Sequence, residues 1–239
     1  MREMMNILYC HGLGSSINNR IGTSLMEYFR KTPHYFERLL YRNPGSRHVL
    51  WNISEWRKDI EKRMDKNGWL SLVVPGAMQH LTQQEIVLGL LLFCPGVSLS
   101  FDYVDNIIPG GSVALRNGQT LIHPASRGGH EALVDQLICG FIFLLTILFS
   151  QSCVTKTDGP IDIRCPVSIV HGTKDQLVPY ENSILLSKRL LSSDIDLTLI
   201  PGGSHFLDVD ELIIEKLERF LKTVARYKER LRTQIHANL

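Results

Sequence analysis

A carboxylate and an imidazole, each on a loop that follows a strand-like run, are the residues of this chain best placed to move a proton. Asp175 stands in VSIVHGTKDQLVPYENS (167–183), just beyond an apolar run that ends in His171-Gly172, and His205 stands in the glycine-rich PGGSHF (201–206). A catalytic imidazole needs a carboxylate that fixes its tautomer and stabilises its charged form. Loops after neighbouring strands bring such a pair to one edge of a sheet, so Asp175 is expected as the acid and His205 as the base. In ILYCHGLGSS (7–16), His11-Gly12 closes the first buried run. Ligands bind at that end of an open parallel sheet, and a tight turn there can aim backbone N–H groups at a developing oxyanion. Each residue also fits a plain role: Asp175 as a turn or cap residue, His205 as a loop histidine, Gly12 as a turn glycine.

Other chemistries find less support. Gly12 and Gly14 begin a G-x-G-x-x-G pattern, but Ile17 holds the third glycine place and no acidic residue closes a second strand. A nucleotide-binding oxidoreductase is therefore disfavoured. The histidines form no H-x-H or H-E-x-x-H arrangement, so no metal site is expected. The five cysteines make no C-x-x-C pair and are odd in number, which favours free thiols in a reducing compartment. No signal peptide or Arg/Ser-rich presequence is read at the N-terminus, and the cytoplasm is the expected location. A net charge of +2 argues against nucleic acid as a partner. The basic residues of 216–232 are interleaved with Glu218 and Glu229, as on a solvated helix face.

The elements that must carry these residues alternate between apolar β-type runs and helix-period runs, which argues for an α/β architecture with a mainly parallel sheet. Strands are expected at 6–12, 36–42, 87–96, 165–172 and from 195. Helices are expected at 19–31, 54–65, 181–192 and through the terminal amphipathic segment, where Ile213, Leu217, Phe220, Leu221 and Val224 share a face. Hydrophobic residues make up 44% of the 239 and charged ones 21%, the profile of one soluble globular domain. Residues 97–164 are the least regular and are expected as a lid-like insertion. Within them LICGFIFLLTILFS (137–150) is apolar but shorter than the ~20 residues a spanning helix needs, so a helix over the cleft is expected before membrane contact.

The chain resembles the α/β-hydrolase superfamily of serine hydrolases, in the branch of palmitoyl-protein thioesterases and mycophenolic acid acyl-glucuronide esterases. The likeness rests on YCHGLGSS, ISEWRKDIEKRMD, GWLSLV, GLLLFCPG, DGPIDIRCPVSIVHGTKDQLVPYENS and IPGGSHF. It implies an α/β-hydrolase fold, with helices on both faces of the sheet and a lid. It also implies hydrolysis of carboxylic esters or acyl-thioesters through an acyl-serine, on a small acyl ester or an acylated protein, with no cofactor. It suggests Asp175 as triad acid, His205 as base and the backbone N–H of Leu13, after His11-Gly12, as an oxyanion donor. The order acid-then-histidine, with a serine before both, is that of this fold. The branch is mitochondrial.

The chain departs from the pattern at RMDKNGWLSLVV (63–74). The branch carries a strand and a G-x-S-x-G-G-W elbow here, and this sequence keeps only Gly68-Trp69, so the elbow region is expected to be truncated. No complete G-x-S-x-G occurs; Ser24, Ser98, Ser112 and Ser204 sit in half-matches without the strand–turn–helix setting. The elbow register falls on Asp65, inside an expected helix, and Ser71 is the best substitute serine. The expectation is a hydrolase scaffold with an impaired nucleophile, or a non-catalytic protein that holds an acyl ligand on the same fold.

Overall fold

The computed structural model describes residues 4–12, 15–42, 59–60, 62–63, 69–73, 87–95, 105, 108–117, 121–122, 131–132, 160–176 and 178–237. Six parallel strands form its main sheet: β1 (Asn6–Cys10), β2 (Tyr35–Arg38), β3 (Trp69–Val73), β4 (Val87–Phe93), β7 (Val167–Gly172) and β8 (Ile195–Ile200), in the order β2-β1-β3-β4-β7-β8. A separate antiparallel pair joins β5 (Leu121–Ile122) to β6 (Glu131–Ala132). Four helices are described in full: α1 (Arg20–Phe29), α2 (Gly111–Arg116), α3 (Glu181–Arg189) and α4 (Glu211–Ala237).

The period of two along each strand sorts the apolar side chains onto two faces. Leu8, Cys10, Leu90, Leu92, Val167 and Ile169 build one core with Leu186 of α3. Ile7, Tyr9, Leu91, Phe93 and Val170 build the other, against Ile21, Leu25 and Phe29 of α1 and Ile213, Leu217, Phe220 and Val224 of α4. Covering both faces is what lets β4 be apolar at every position, as parallel strands between helical layers are, and it buries β7 throughout, its Ser168 and His171 included. The helix face expected from 213 to 224 is the one that α4 buries. Asn19 starts α1, its side chain accepting from the Gly22 N–H at 2.8 Å and from the Tyr9 hydroxyl at 2.7 Å.

Two expectations are corrected. The strand expected at 36–42 stops at Arg38, because β1 offers partners only as far as Cys10. The central place in the sheet, expected to lack its strand, is filled by a segment that begins where the elbow was read to end: Trp69–Val73 is β3, paired in parallel with β1 on one side and β4 on the other. Both neighbours are buried, and without a strand between them their inward N–H and C=O groups would be unpaired, a cost folded chains avoid. Trp, Leu and Val suit a pleated, half-buried surface, so this short segment fills the gap. The residues 54–58, 61, 64–68 and the 137–150 run lie outside the described residues. Among those described, no helix is long and apolar enough to cross a membrane.

Candidate active site

Because all strands of the main sheet run in parallel, the loops after β1, β7 and β8 leave the same edge, and the expected residues gather there. The loop after β7 carries Asp175 and the loop after β8 carries His205. Their close approach begins at Gly172, the last residue of β7. A Cβ on Gly172 would lie 2.3 Å from the Gly203 carbonyl oxygen and 2.6 Å from that of Ser204. Only glycine lets the two loops touch. The contact is then stitched by backbone bonds: Thr173 N–H to Ile200 O at 3.0 Å, Lys174 N–H to Gly203 O at 2.8 Å, and Gly202 N–H to Thr173 Oγ1 at 2.9 Å. Gly202 has φ +72°, the left-handed conformation that turns the chain back toward His205.

The result is a direct pair. His205 Nδ1 donates to Asp175 Oδ2 at 2.7 Å, with the carboxylate side chain fully buried and the imidazole 17% exposed. A carboxylate on Nδ1 fixes the proton there and leaves Nε2 as the basic nitrogen. The Val178 N–H donates to Asp175 Oδ1 at 2.8 Å. Burial alone would raise the Asp175 carboxyl, but hydrogen bonds from His171 and His205, the His205 charge and the Val178 N–H outweigh it. They hold Asp175 well below the usual carboxylate range.

Three residues that the sequence did not single out as functional stand behind Asp175. His171 lies in β7 with none of its side chain exposed, and its Nε2 is 3.1 Å from Asp175 Oδ2. Ser183 of α3 reaches the same ring at Nδ1, 2.6 Å away. Cys94, one residue past β4 and at φ +45°, is buried with its sulfur within 4.8 Å of the Asp175 carboxylate; burial first, then that carboxylate, pushes the thiol well above its ordinary value. The only available signal was position: His171 is four residues before Asp175 in H-G-x-x-D, and a strand residue that close to a loop acid can fold back on it. Donor atoms of Cys94, His171 and Asp175 lie within 4.8 Å of one another, the one such metal-type group among the described residues. Within it His171 and Asp175 are already hydrogen-bonded to each other.

The remaining expected residues are placed differently. His11 is buried, its Nδ1 3.0 Å from the Gly12 carbonyl oxygen and its ring edge-on to Tyr41 at 4.8 Å. Burial lowers its basicity, which favours a neutral ring that shapes the turn. His11 and Gly12 are three strand steps from β7 in the sheet order, about 14 Å at the usual strand spacing. Leu13 and Asp65 lie outside the described residues. Ser71 is in the body of β3, opposite Leu8 and Leu90, and two residues before the strand's end at Val73. That is about 7 Å below the edge where His205 stands. The eight residues that follow Val73 in sequence, VPGAMQHL, contain no serine, threonine or cysteine. Of the other serines considered, Ser24 is in α1, and Ser112 is in α2, bonded to Asp105. Ser204 adjoins His205 and bonds locally to Phe206.

No family model matches this chain. It is similar to "Palmitoyl-protein thioesterase ABHD10, mitochondrial" of Rattus norvegicus, 22% identical over 215 residues that cover 83% of this chain and 68% of the relative. With the Homo sapiens protein of the same name, 47 residues are 39% identical, 20% of this chain and 15% of the relative. Among solved structures, mouse alpha/beta hydrolase domain-containing protein 10 matches with a TM-score of 0.66 at 20% identity, covering 95% of this chain and 90% of that one. A metagenome-derived lipolytic enzyme matches with a TM-score of 0.57 at 16% identity, covering 91% and 93%.

Proposed function

We propose, from the α/β-hydrolase fold that this chain has, that it is a scaffold for hydrolysis of carboxylic esters or acyl-thioesters, with Asp175 as acid and His205 as base. The observation that carries this reading is the 2.7 Å bond from His205 Nδ1 to a fully buried, ionised Asp175 at the loop-bearing edge of the sheet. Asp175 holds the imidazole with Nε2 outward and stabilises it once it takes a proton. The turn at His11-Gly12, with the Leu13 N–H, is the proposed oxyanion side, and 97–164 the proposed lid of a single domain. The substrate class is a small acyl ester or an acylated protein, in keeping with the name of the thioesterase relatives. The compartment we propose is the cytoplasm, on the free thiols; cell fractionation separates it from the mitochondrion named for those relatives.

In this reading the nucleophile is lacking. No complete G-x-S-x-G occurs, and the eight residues that follow Val73 in sequence offer no hydroxyl or thiol for the base to activate. Removing the serine from a triad costs on the order of a millionfold in turnover, and roughly a thousand to ten thousand over water survives. The chain is therefore expected to turn over esters little or not at all. That same absence favours a second reading, a protein that holds an acyl ligand without cleaving it.

An acyl p-nitrophenyl ester assay combined with a fluorophosphonate probe tests both. The probe is expected to leave the protein unlabelled, with a small residual ester rate little changed by His205→Ala, because without the serine the imidazole has no nucleophile to activate. An ester rate no higher than that of buffer, with an acyl chain still bound, would leave only the binding reading. Labelling abolished by Ser71→Ala would mean that the nucleophile had moved to β3 and that the chain does turn over esters.

A further inference from the structure

We propose that His171 is a second imidazole of this site, a positioning residue that fixes Asp175 in the orientation His205 needs. The inference rests on the reading of Asp175 and His205 as acid and base, but it concerns their geometry and is testable without turnover. Asp175 Oδ2 receives both rings: His205 Nδ1 at 2.7 Å and His171 Nε2 at 3.1 Å. His171 Nε2 is also 2.9 Å from the Val178 carbonyl oxygen. Both of its neighbours are acceptors, so Nε2 must carry the hydrogen and share it between them, a three-centre bond. In the neutral ring Nδ1 is then an acceptor, and the Ser183 hydroxyl, 2.6 Å away, must donate to it. The direction of every proton in the chain Ser183–His171–Asp175 follows from this.

The placement explains why such a residue is useful. Asp175 lies in a loop, whereas His171 is a strand residue of β7 and Ser183 a helix residue of α3. His171 has the parity of Val167 and Ile169, which face the core under α3, and this is why the helix reaches it. Neither His171 nor Ser183 has any exposed surface. The loop acid is thus tied to two rigid elements through one ring, and groups held this way stay closer to a productive geometry than loop groups left to themselves. Without the His171 N–H, the oxygen facing His205 would keep one imidazole donor, and Oδ1 would still be held by Val178. The carboxylate could then rotate about that remaining anchor.

Long-range proton–nitrogen correlation spectra of the histidine rings in the full chain read this directly. Wild type is expected to show His171 as the neutral Nε2–H tautomer, and His205 with a low-field, exchange-protected Nδ1–H. In His171→Leu the protected His205 signal should be lost while the methyl spectrum keeps its folded pattern. His171→Gln, whose amide can present a donor near the same place, should restore it. A folded His171→Leu that keeps the His205 signal unchanged would overturn the proposal, as would an Nδ1–H tautomer of His171 in wild type. Should His171→Leu not fold, Ser183→Ala decides: a moved His171 Nδ1 resonance with a weakened His205 signal supports the role, and an unchanged His205 signal overturns it. Failure of the ester assay would count against the hydrolase reading alone, since the tautomers are read with no substrate present.

Discussion

Replacing Gly172 by alanine should damage this site more than a methyl group ordinarily would, and the structure says by how much. The added Cβ would lie 2.3 Å from the Gly203 carbonyl oxygen, 2.4 Å from its carbon and 2.6 Å from the Ser204 oxygen. A carbon–oxygen contact is comfortable near ~3.3 Å, so the His205 loop must retreat by about 1 Å. The obstruction is backbone, which cannot rotate away. The retreat stretches the Lys174 N–H to Gly203 O bond, 2.8 Å long in the intact chain. Overpacking costs typically 1–3 kcal/mol and a lost hydrogen bond about 1 kcal/mol, so a destabilisation of about 2–4 kcal/mol is expected. Urea unfolding measures it as a lower midpoint at unchanged slope. Gly202→Ala is the control: it has no atom within 4 Å of its Cβ, and suffers only the strain of φ +72°, about 1–2 kcal/mol. If Gly172→Ala cost less than its control, the close approach of the two loops would not be what holds His205 beside Asp175.

Acid should unfold the protein partly through Asp175. Its folded pKa is depressed, so its contribution is complete above the unfolded value near ~4 and is lost as pH falls below that toward the folded value. Asp175→Asn should flatten the stability–pH curve in that window, measured by urea midpoints at successive pH values. The buried thiols should resist alkylation in the folded chain. Burial pushes Cys10 and Cys165 up to about 12, and peptide mapping after iodoacetamide at pH 8 should find both unmodified until denaturant is added.

Much of the scaffold is legible in the chain itself. A continuous apolar run such as VLGLLLF, short and closed by Pro-Gly, suits a strand covered on both faces, and the stripe from Ile213 to Val224 suits a helix packed on the core. The loop positions of Asp175 and His205 follow from the strands before them, because a parallel sheet sends successive loops to one edge. The strand Trp69–Val73 was not legible. Asn67-Gly68 and Pro75-Gly76 bracket it with turn signals, but five residues between turns fit several conformations, and what makes them a strand is the pairing demanded by β1 and β4, which are remote in sequence. His171 was hidden for a related reason. Four residues before an aspartate, a histidine can face either side of its strand, and only the packing of α3, which brings Ser183 to one of its nitrogens, decides which. Local sequence thus determined the chemistry available and the edge where it would gather. The tertiary structure alone decided that Gly172 and Gly203 touch, that one carboxylate oxygen serves two imidazoles, and that Trp69–Val73 pairs between β1 and β4. Each of these depends on the distance between segments that no local pattern couples.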